Sequence, residues 1–228
     1  MSKMMTLYHG SIERIEHPEL GKGKHNNDYG QGFYCTANRD LACEWASKIQ
    51  GIDGYVNQYE LDTSGLNILD LSQYGILHWM TMLLKNRTFT LTTPISIQGK
   101  AYLMEHFDID ISGYDLIKGY RADDSYFSFA EDFLNNAISV SHLSRAMRLG
   151  KLGIQHVLVS QKAFDALLFV QADLVENRVY YPLHMVRDTK ARKTYRSSKA
   201  NLTIDSNEIY LLDILRGGIT DGDPRLSR

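Results

Sequence analysis

Apolar and polar residues follow one another along the chain in a pattern that predicts short strands mixed with amphipathic helices. Short apolar runs, some of them alternating, indicate strands at residues 6–9, 31–36, 55–61, 66–71, 114–120 and 155–159. Apolar residues three or four positions apart indicate helices capped by Asn38 and Ser125, and others at 72–85, 97–107, 142–149 and 162–169. Strands and helices do not alternate regularly, which favours an α+β fold over a doubly wound parallel sheet.

The segments between these elements are mostly polar. Residues 17–32 are too polar for a core and too rich in glycine for a helix, so we expect a mobile loop there. Residues 187–199 are polar and basic, which predicts a loop or a pair of edge strands. The last apolar segment is 209–215, before a short tail that we expect to be frayed. We divide the chain into a domain at 1–175 and an extension at 176–228, whose strands and loops pack on the same domain.

Composition narrows the class of protein. The chain has 228 residues, of which 43% are hydrophobic and 23% are charged, as in ordinary soluble domains. Its formal net charge is -2, so the chain as a whole does not attract nucleic acid or an anionic membrane. No apolar stretch approaches the roughly 18 residues of a membrane span, and the first residues lack the apolar run of a signal peptide. We expect no membrane partner and a cytoplasmic location.

The cysteines and the usual nucleotide motifs exclude several kinds of site. Cys35 and Cys43 lie eight residues apart without a CxxC pair, a spacing that fits neither a zinc site nor a disulfide framework. We therefore expect two reduced thiols and no metal. The glycine fingerprint of dinucleotide-binding βαβ folds and the phosphate-binding P-loop are both missing from the sequence. Neither of these common nucleotide-binding folds is supported.

Three short motifs carry the candidate chemistry. They are, in chain order, Tyr8-His9-Gly10-Ser11, then Asp28-Tyr29-Gly30-Gln31-Gly32-Phe33-Tyr34 ahead of a helix with Trp45, and finally Gly153-Ile154-Gln155-His156-Val157. Each motif alone has an ordinary structural interpretation: a histidine within a fold, a tight turn before a strand, or an aromatic residue in a core. Their order along one chain is more informative than any one of them.

In this order the motifs resemble the diphtheria-toxin and poly(ADP-ribose) polymerase branch of the ADP-ribosyltransferases, in which a histidine, a tyrosine and usually a glutamate line the NAD cleft. More narrowly, the chain resembles an ADP-ribosyltransferase-like bacterial family, domain of unknown function 3990, over about residues 5–170. The resemblance implies a split β-sandwich with flanking helices. It also implies NAD as the co-substrate, with no metal.

The resemblance assigns roles to individual residues. His9, Tyr34 and Gln155 form the catalytic core, and NAD is bound by six residues: His9, Gly10, Ser11, Gly32, Tyr34 and Trp45. Each role has a physical reason. A histidine at a strand end can bond a ribose hydroxyl, and a glycine lets the backbone approach the nicotinamide amide closely. The Ser11 hydroxyl can bond the carboxamide. The tyrosine ring can stack on nicotinamide, which is cationic in NAD, and Trp45 lies where the polymerase branch has a second stacking aromatic.

The sequence departs from that branch at Gln155, where the branch has glutamate. An amide can bond the ribose 2′-hydroxyl, but it carries no charge and cannot act as a base at neutral pH. Three hypotheses follow. The enzyme relies on positioning and transfers a single ADP-ribose unit, or Asp123 or Asp124 supplies the carboxylate, or the domain binds NAD without turning it over. Asp123 and Asp124 also fit a second role, as acids at the start of the helix capped by Ser125.

The resulting hypothesis is a mono-ADP-ribosyltransferase acting on a protein or nucleic-acid acceptor. The resemblance to toxin-like effectors implies a neutralising antitoxin protein as a partner. Two alternatives stay open: a non-catalytic module that binds NAD or ADP-ribose, and an NAD glycohydrolase, in which water is the acceptor. The basic residues at 187–199, with Tyr195 among them, could contact a nucleic-acid backbone, although a solvated charged loop explains them as well.

Overall fold

The computed structural model describes residues 3–121, 127–147, 153–200 and 208–226. These residues form seven strands and eight α-helices. The strands are β1 (Met4–Ser11), β2 (Phe33–Cys35), β3 (Gly54–Asp62), β4 (Ile68–Asp70), β5 (Leu116–Tyr120), β6 (Ile154–Leu158) and β7 (Leu167–Val175). The helices are α1 (Arg39–Ala46), α2 (Ile76–Asn86), α3 (Pro94–His106), α4 (Phe127–Leu134), α5 (Val140–Ala146), α6 (Gln161–Asp165), α7 (Asn177–Ala200) and α8 (Leu211–Gly217).

The strands form two sheets. The three-stranded sheet has the order β1-β3-β7 and is antiparallel throughout. The four-stranded sheet has the order β2-β6-β5-β4, in which only β4 and β5 run parallel. An antiparallel bridge joins the sheets, because Tyr8 and Thr36 exchange backbone hydrogen bonds of 2.8 and 2.9 Å. The prediction of an α+β fold is confirmed.

Three groups of buried side chains define the layers. One group lies between the sheets, where Leu7 of β1 and Leu61 of β3 pack with Leu116 of β5 and Leu158 of β6. A second group packs α1 on the outer face of the three-stranded sheet, through Ala42, Ala46, Val56 and Val175. The third and largest group packs helices on the four-stranded sheet around the fully buried Trp79. The molecule therefore has helices on both sides of two stacked sheets.

Local signals explain why the predicted helices begin where they do. The Asn38 side chain accepts a hydrogen bond from the Leu41 backbone N–H at 3.2 Å, which confirms the predicted cap of α1. Thr93 and Ser96 form a reciprocal capping box at the start of α3, with Pro94 in its first turn. The predicted cap at Ser125 and the end of the helix predicted at 142–149 lie outside the described residues.

Two predictions of secondary structure are wrong. Residues 187–199 are neither loop nor edge strand but belong to the helix α7. Arg187, Ala191 and Tyr195 lie four residues apart on this helix, and the last two are buried, so its buried face carries few aliphatic side chains. The predicted helix at 162–169 ends at Asp165, because residues 167–175 form β7 at the edge of the first sheet.

The C-terminal residues after β7 are helical, where we expected strands and loops. Tyr195 of α7 and Leu211 and Ile214 of α8 belong to the largest core group. The division of the chain at 175 stays a prediction, and it coincides with the end of β7. No helix in the described part of the chain is long and apolar enough to cross a membrane.

Candidate functional site

A cavity of about 610 Å³ opens between β1, the glycine-rich loop before β2, and β6. We call it the His9 cavity. Its volume is within the range of about 300–1,000 Å³ that small-molecule and cofactor sites occupy. Six of the residues predicted from the sequence line it: His9, Gly10, Gly32, Tyr34, Trp45 and Gln155. Residues that lie far apart in the chain therefore meet at one cavity.

His9 lies in β1 opposite Asn57 of β3, and its ring is fixed in one tautomer. Its Nδ1 lies 2.7 Å from the Tyr34 carbonyl oxygen, which can only accept, so Nδ1 donates and Nε2 carries the lone pair. The ring stacks on Phe33 with 4.5 Å between centroids. Burial lowers the pKa of His9, and the nearby Lys48 lowers it further. His9 is therefore a neutral imidazole at neutral pH, suited to accept a hydrogen bond from a hydroxyl.

The Tyr34 hydroxyl holds the glycine-rich loop. It donates to the Gly30 carbonyl at 2.6 Å and accepts from the Tyr29 backbone N–H at 3.0 Å. Gly30 has a φ of 76°, a left-handed conformation that glycine adopts without strain. Burial raises the pKa of Tyr34 well above its ordinary value, so the phenol stays protonated. Because the hydroxyl is engaged with the loop, the ring is the part of Tyr34 that suits a ligand.

Two of the predicted glycines have a packing role. A Cβ at Gly10 would overlap the carbonyl oxygen of Ala42, because β1 runs against α1 there. A Cβ at Gly32 would lie 2.6 Å from the Val157 side chain and 2.8 Å from the Leu158 carbonyl. Close backbone packing therefore accounts for both glycines without a ligand. Their roles in NAD binding stay predictions.

Ser11 and Trp45 differ in their positions. The Ser11 hydroxyl donates to the Glu13 carbonyl at 2.5 Å and accepts from the Asn57 amide at 3.1 Å, and Ser11 itself does not line the cavity. Trp45 lines the cavity, and the Arg121 guanidinium lies 4.7 Å from the centroid of its ring. The Trp45 Nε1 is buried and has no hydrogen-bond partner among the described residues. Because of its distance from the ring centroid, the Arg121 guanidinium covers one face of the Trp45 ring.

Gln155 contacts Asp28, an acid whose role in the cavity was not predicted from the sequence. Its Nε2 donates to Asp28 Oδ2 at 2.9 Å, and both side chains are buried although both line the cavity. The Arg87 Nε lies 3.6 Å from Asp28 Oδ1. Asp28 is the first residue of the glycine-rich motif. Its position directly before the loop is the signal by which the sequence could have identified it as a cavity residue. The substitute acids predicted from the sequence, Asp123 and Asp124, lie outside the described residues.

Basic residues outnumber acidic residues on the cavity lining by one. Four basic residues line it, Lys22, Lys48, Arg87 and Arg121, against three acids, Glu13, Glu19 and Asp28. Arg121, at the end of β5, is buried, whereas Lys22 and Lys48 are exposed. Guanidinium and ammonium groups are the usual partners of phosphate oxygens in proteins. Lys48, Arg87 and Arg121 were not predicted from the sequence, because they come from separate segments that only the fold brings together.

The fold and the cavity define an α+β protein of two stacked sheets, with a cavity of about 610 Å³ lined by both basic and acidic residues. The chain matches the model of the family described as "Protein of unknown function (DUF3990)" over residues 5–169, and it belongs to that family. No curated protein and no solved structure matches the chain. Membership in this family assigns no reaction, so the function is argued from the cavity.

Proposed function

We propose that the chain is a mono-ADP-ribosyltransferase that binds NAD in the His9 cavity and transfers ADP-ribose to a macromolecular acceptor. One observation carries the proposal: His9 of β1, Tyr34 of β2 and Gln155 of β6 line the same cavity, in agreement with the resemblance to the His-Tyr-Glu branch. The two stacked sheets with outer helices are compatible with the split β-sandwich of that branch.

The cavity residues suit the parts of NAD. The neutral His9 can accept a hydrogen bond from a ribose hydroxyl through Nε2. The Tyr34 ring offers an aromatic face to the cationic nicotinamide. Lys48 and Arg121 can oppose the pyrophosphate. In the reaction, the bond between C1′ and the nicotinamide nitrogen breaks, and its electron pair leaves with neutral nicotinamide. The acceptor then bonds to C1′ and releases a proton.

The nature of Gln155 favours transfer of a single unit. A neutral amide cannot remove a proton from an incoming ribose hydroxyl, which chain elongation requires. We extend the proposal, on the resemblance alone, to a cytoplasmic toxin-like effector with a protein or nucleic-acid acceptor and a neutralising partner protein.

A non-catalytic module that binds NAD or ADP-ribose is the second candidate. The neutral side chain of Gln155 favours it, because Gln155 brings no charge of its own to the cavity. Calorimetry that detects NAD binding, together with no nicotinamide release, would select this candidate. Release of free ADP-ribose without any acceptor would instead indicate an NAD glycohydrolase.

The test is a measurement of NAD binding and turnover in site variants. His9→Ala removes a hydrogen bond and Tyr34→Ala removes a stacking surface, so each should weaken NAD binding by about 1–3 kcal/mol. That range corresponds to a roughly five- to 150-fold rise in Kd. Calorimetry measures the affinity, and labelled NAD with a cell lysate measures transfer. Thermal unfolding establishes that each variant is folded.

His184→Ala serves as the control, because His184 lies on α7 away from the cavity lining. It should bind NAD as the unaltered chain does. If both cavity variants bind and transfer like the unaltered chain, the assignment of the site is wrong.

A further inference from the structure

We propose that Asp28 is a positioning residue that makes Gln155 a substitute for a carboxylate. It holds the amide so that the carbonyl oxygen Oε1 accepts a sugar hydroxyl of the ligand. This inference rests on the proposed function and names the acid that works with Gln155. The observation that carries it is the buried hydrogen bond of 2.9 Å from Gln155 Nε2 to Asp28 Oδ2, on the lining of the His9 cavity.

The chemistry of the pair fixes the orientation of the amide. A carboxylate oxygen only accepts hydrogen bonds, so the end of Gln155 that faces Asp28 must be the NH₂ group. The Gln155 backbone is held in β6, where it pairs with Gly119 of β5. The side chain is 4% exposed and has little freedom to turn. Oε1 is therefore the end of the amide opposite the Asp28 contact.

The surroundings of Asp28 hold it in place. The next residue, Tyr29, donates its backbone N–H to the Tyr34 hydroxyl at 3.0 Å. The Tyr29 ring is buried, and its hydroxyl donates to the Tyr120 carbonyl at 2.5 Å and accepts from Trp79 Nε1 at 2.8 Å. Asp28 is thus fixed by a loop that is bonded to both β2 and β5.

Arg87 makes the buried charge tolerable. A buried carboxylate is costly unless a cation and hydrogen-bond donors face it. Arg87 Nε lies 3.6 Å from Asp28 Oδ1, while Gln155 serves Oδ2. The three side chains form a row of guanidinium, carboxylate and amide along the cavity. The end of the row is an amide polarised by a charge.

The row of Arg87, Asp28 and Gln155 shares one property with a glutamate, an oxygen with increased negative charge. It lacks another, the ability to act as a base. A hydrogen bond from the amide NH₂ to a carboxylate increases the negative partial charge on the carbonyl oxygen of the same amide. Such an oxygen binds a ribose hydroxyl firmly and favours positive charge that develops on the ribose. It does not take up a proton at neutral pH. Gln155 with Asp28 can therefore assist departure of nicotinamide but cannot activate a sugar hydroxyl as a nucleophile.

Three variants test the pair, with nicotinamide release from NAD as the readout. Asp28→Asn lets either end of the amide at 28 face Gln155, so the orientation is no longer imposed. We expect kcat to fall about tenfold, with KM for NAD changed less than about threefold. Gln155→Glu puts two carboxylates in contact, and like charges at that distance repel. Its activity should be lost near neutral pH and should recover as acidification adds a proton to the pair.

The double variant Asp28→Asn with Gln155→Glu transposes the charge. The new amide at 28 can donate to the new carboxylate at 155, so the pair is restored in reverse. We expect its kcat near neutral pH to exceed that of each single variant by about tenfold. The control is Asp165→Asn, because Asp165 accepts a hydrogen bond of 2.8 Å from Gln161 in an exposed pair of the same chemistry. It should leave kcat and KM unchanged.

The outcomes distinguish this inference from the proposed function. If the unaltered chain neither binds NAD nor releases nicotinamide, both fail together. If it turns NAD over and Asp28→Asn keeps its kcat, or the double variant is no better than Gln155→Glu, only the inference fails. If thermal unfolding shows that Asp28→Asn does not fold, nicotinamide release by Gln155→Glu is the measurement that decides the inference. Full activity of that variant near neutral pH would overturn the inference.

Discussion

His156 follows Gln155 in β6 but faces away from the cavity, since successive side chains of a strand point to opposite faces. It is 5% exposed, and its Nδ1 has no hydrogen-bond partner among the described residues. Burial lowers the pKa of His156 to about 4, with Lys118 acting in the same direction and Asp70 against it. The residue is therefore neutral at neutral pH.

The lowered pKa of His156 predicts that the stability of the fold depends on pH. The unfolded chain binds a proton near pH 6.5 and the folded chain only near pH 4, so the folded state loses stability as the pH falls between these values. At pH 5 the loss from His156 is about 2 kcal/mol. Urea unfolding at pH 7.5 and at pH 5 measures it. His156→Gln should shrink the difference by that amount, whereas His25→Gln, at an exposed position, should not. An unchanged difference in His156→Gln contradicts the assignment.

Single residues of the cavity were predictable only in part. His9, Tyr34 and Gln155 stand in short motifs whose order along the chain is visible in the sequence. Asp28 and Arg87 meet through the fold, because one lies in a loop and the other directly after α2. No local pattern reports such a contact. Gly10 and Gly32 were predicted to bind NAD. The close packing of β1 on α1 and of β2 on β6 accounts for glycine at these two positions equally well.

At the scale of elements, α7 is held to α1 by a buried ion pair. Glu44 of α1 is 3% exposed, and Arg187 of α7 donates to its two oxygens at 2.9 and 2.6 Å. A bidentate arrangement of this kind is the strong form of the pair. The contact explains why a helix with so polar a sequence packs against the domain. It also places a charged residue where an amphipathic pattern would have an aliphatic one.

Removal of Arg187 should therefore be costly. Arg187→Ala leaves the Glu44 carboxylate buried without its cation, and we expect a loss of about 3–5 kcal/mol in the free energy of unfolding. The control lies on the same helix. Arg192 pairs with Asp188 at 2.9 Å on the surface, so Arg192→Ala should cost less than about 1 kcal/mol. Equal losses in the two variants, measured by urea unfolding, would refute the importance of the buried pair.

The elements differ in how far the sequence predicted them. Strands β1, β3, β5 and β6 were found within a few residues, because their apolar patterns are local. Helix α7 was missed, because its buried face is made by an arginine, an alanine and a tyrosine. The first residues of strand β7 were predicted as part of a helix at 162–169. Leu168 and Val170 are apolar although they are exposed, so the run lacks the alternation of apolar and polar residues that is typical of a strand.

At the scale of the whole molecule, the C-terminal helices complete the core. The Tyr195 ring packs against that of Phe129 at a tilt of 44°, with 3.7 Å between centroids, and its hydroxyl donates to Asp132 at 2.6 Å. Leu211 and Ile214 are fully buried in the same core group. The family match ends at residue 169, inside β7, so the matched region is smaller than the folded unit.

Truncation tests this dependence. A chain that ends at Val175 loses four large buried side chains, those of Tyr195, Leu211, Ile214 and Ile219. Each is worth about 1.5–3 kcal/mol, out of a total stability of about 5–15 kcal/mol. We expect it to show no cooperative thermal transition by circular dichroism. A chain that lacks only residues 224–228 should keep the cooperative transition, because the short helix Pro224–Leu226 has no fully buried residue and contributes only the partly buried Leu226 to the core group. Cooperative melting of the shorter chain near the full-length temperature would show that the helices are dispensable.

The class of fold was predictable and the arrangement of the sheets was not. The mixture of strands and helices in the sequence was enough for an α+β assignment. The order β2-β6-β5-β4 depends on pairings between distant segments, and β6 in particular enters between two strands that precede it in the chain. Nothing in the sequence near β6 specifies those partners.

That order has a consequence for the protein as it is made. Strand β6 is the shared neighbour of β2 and β5, and it is translated after both. The second sheet cannot close while β6 is still inside the ribosome, and the wall of the cavity that Gln155 supplies is missing until then. Polypeptides released early, before β6, therefore carry the His9 and Tyr34 motifs without a complete site.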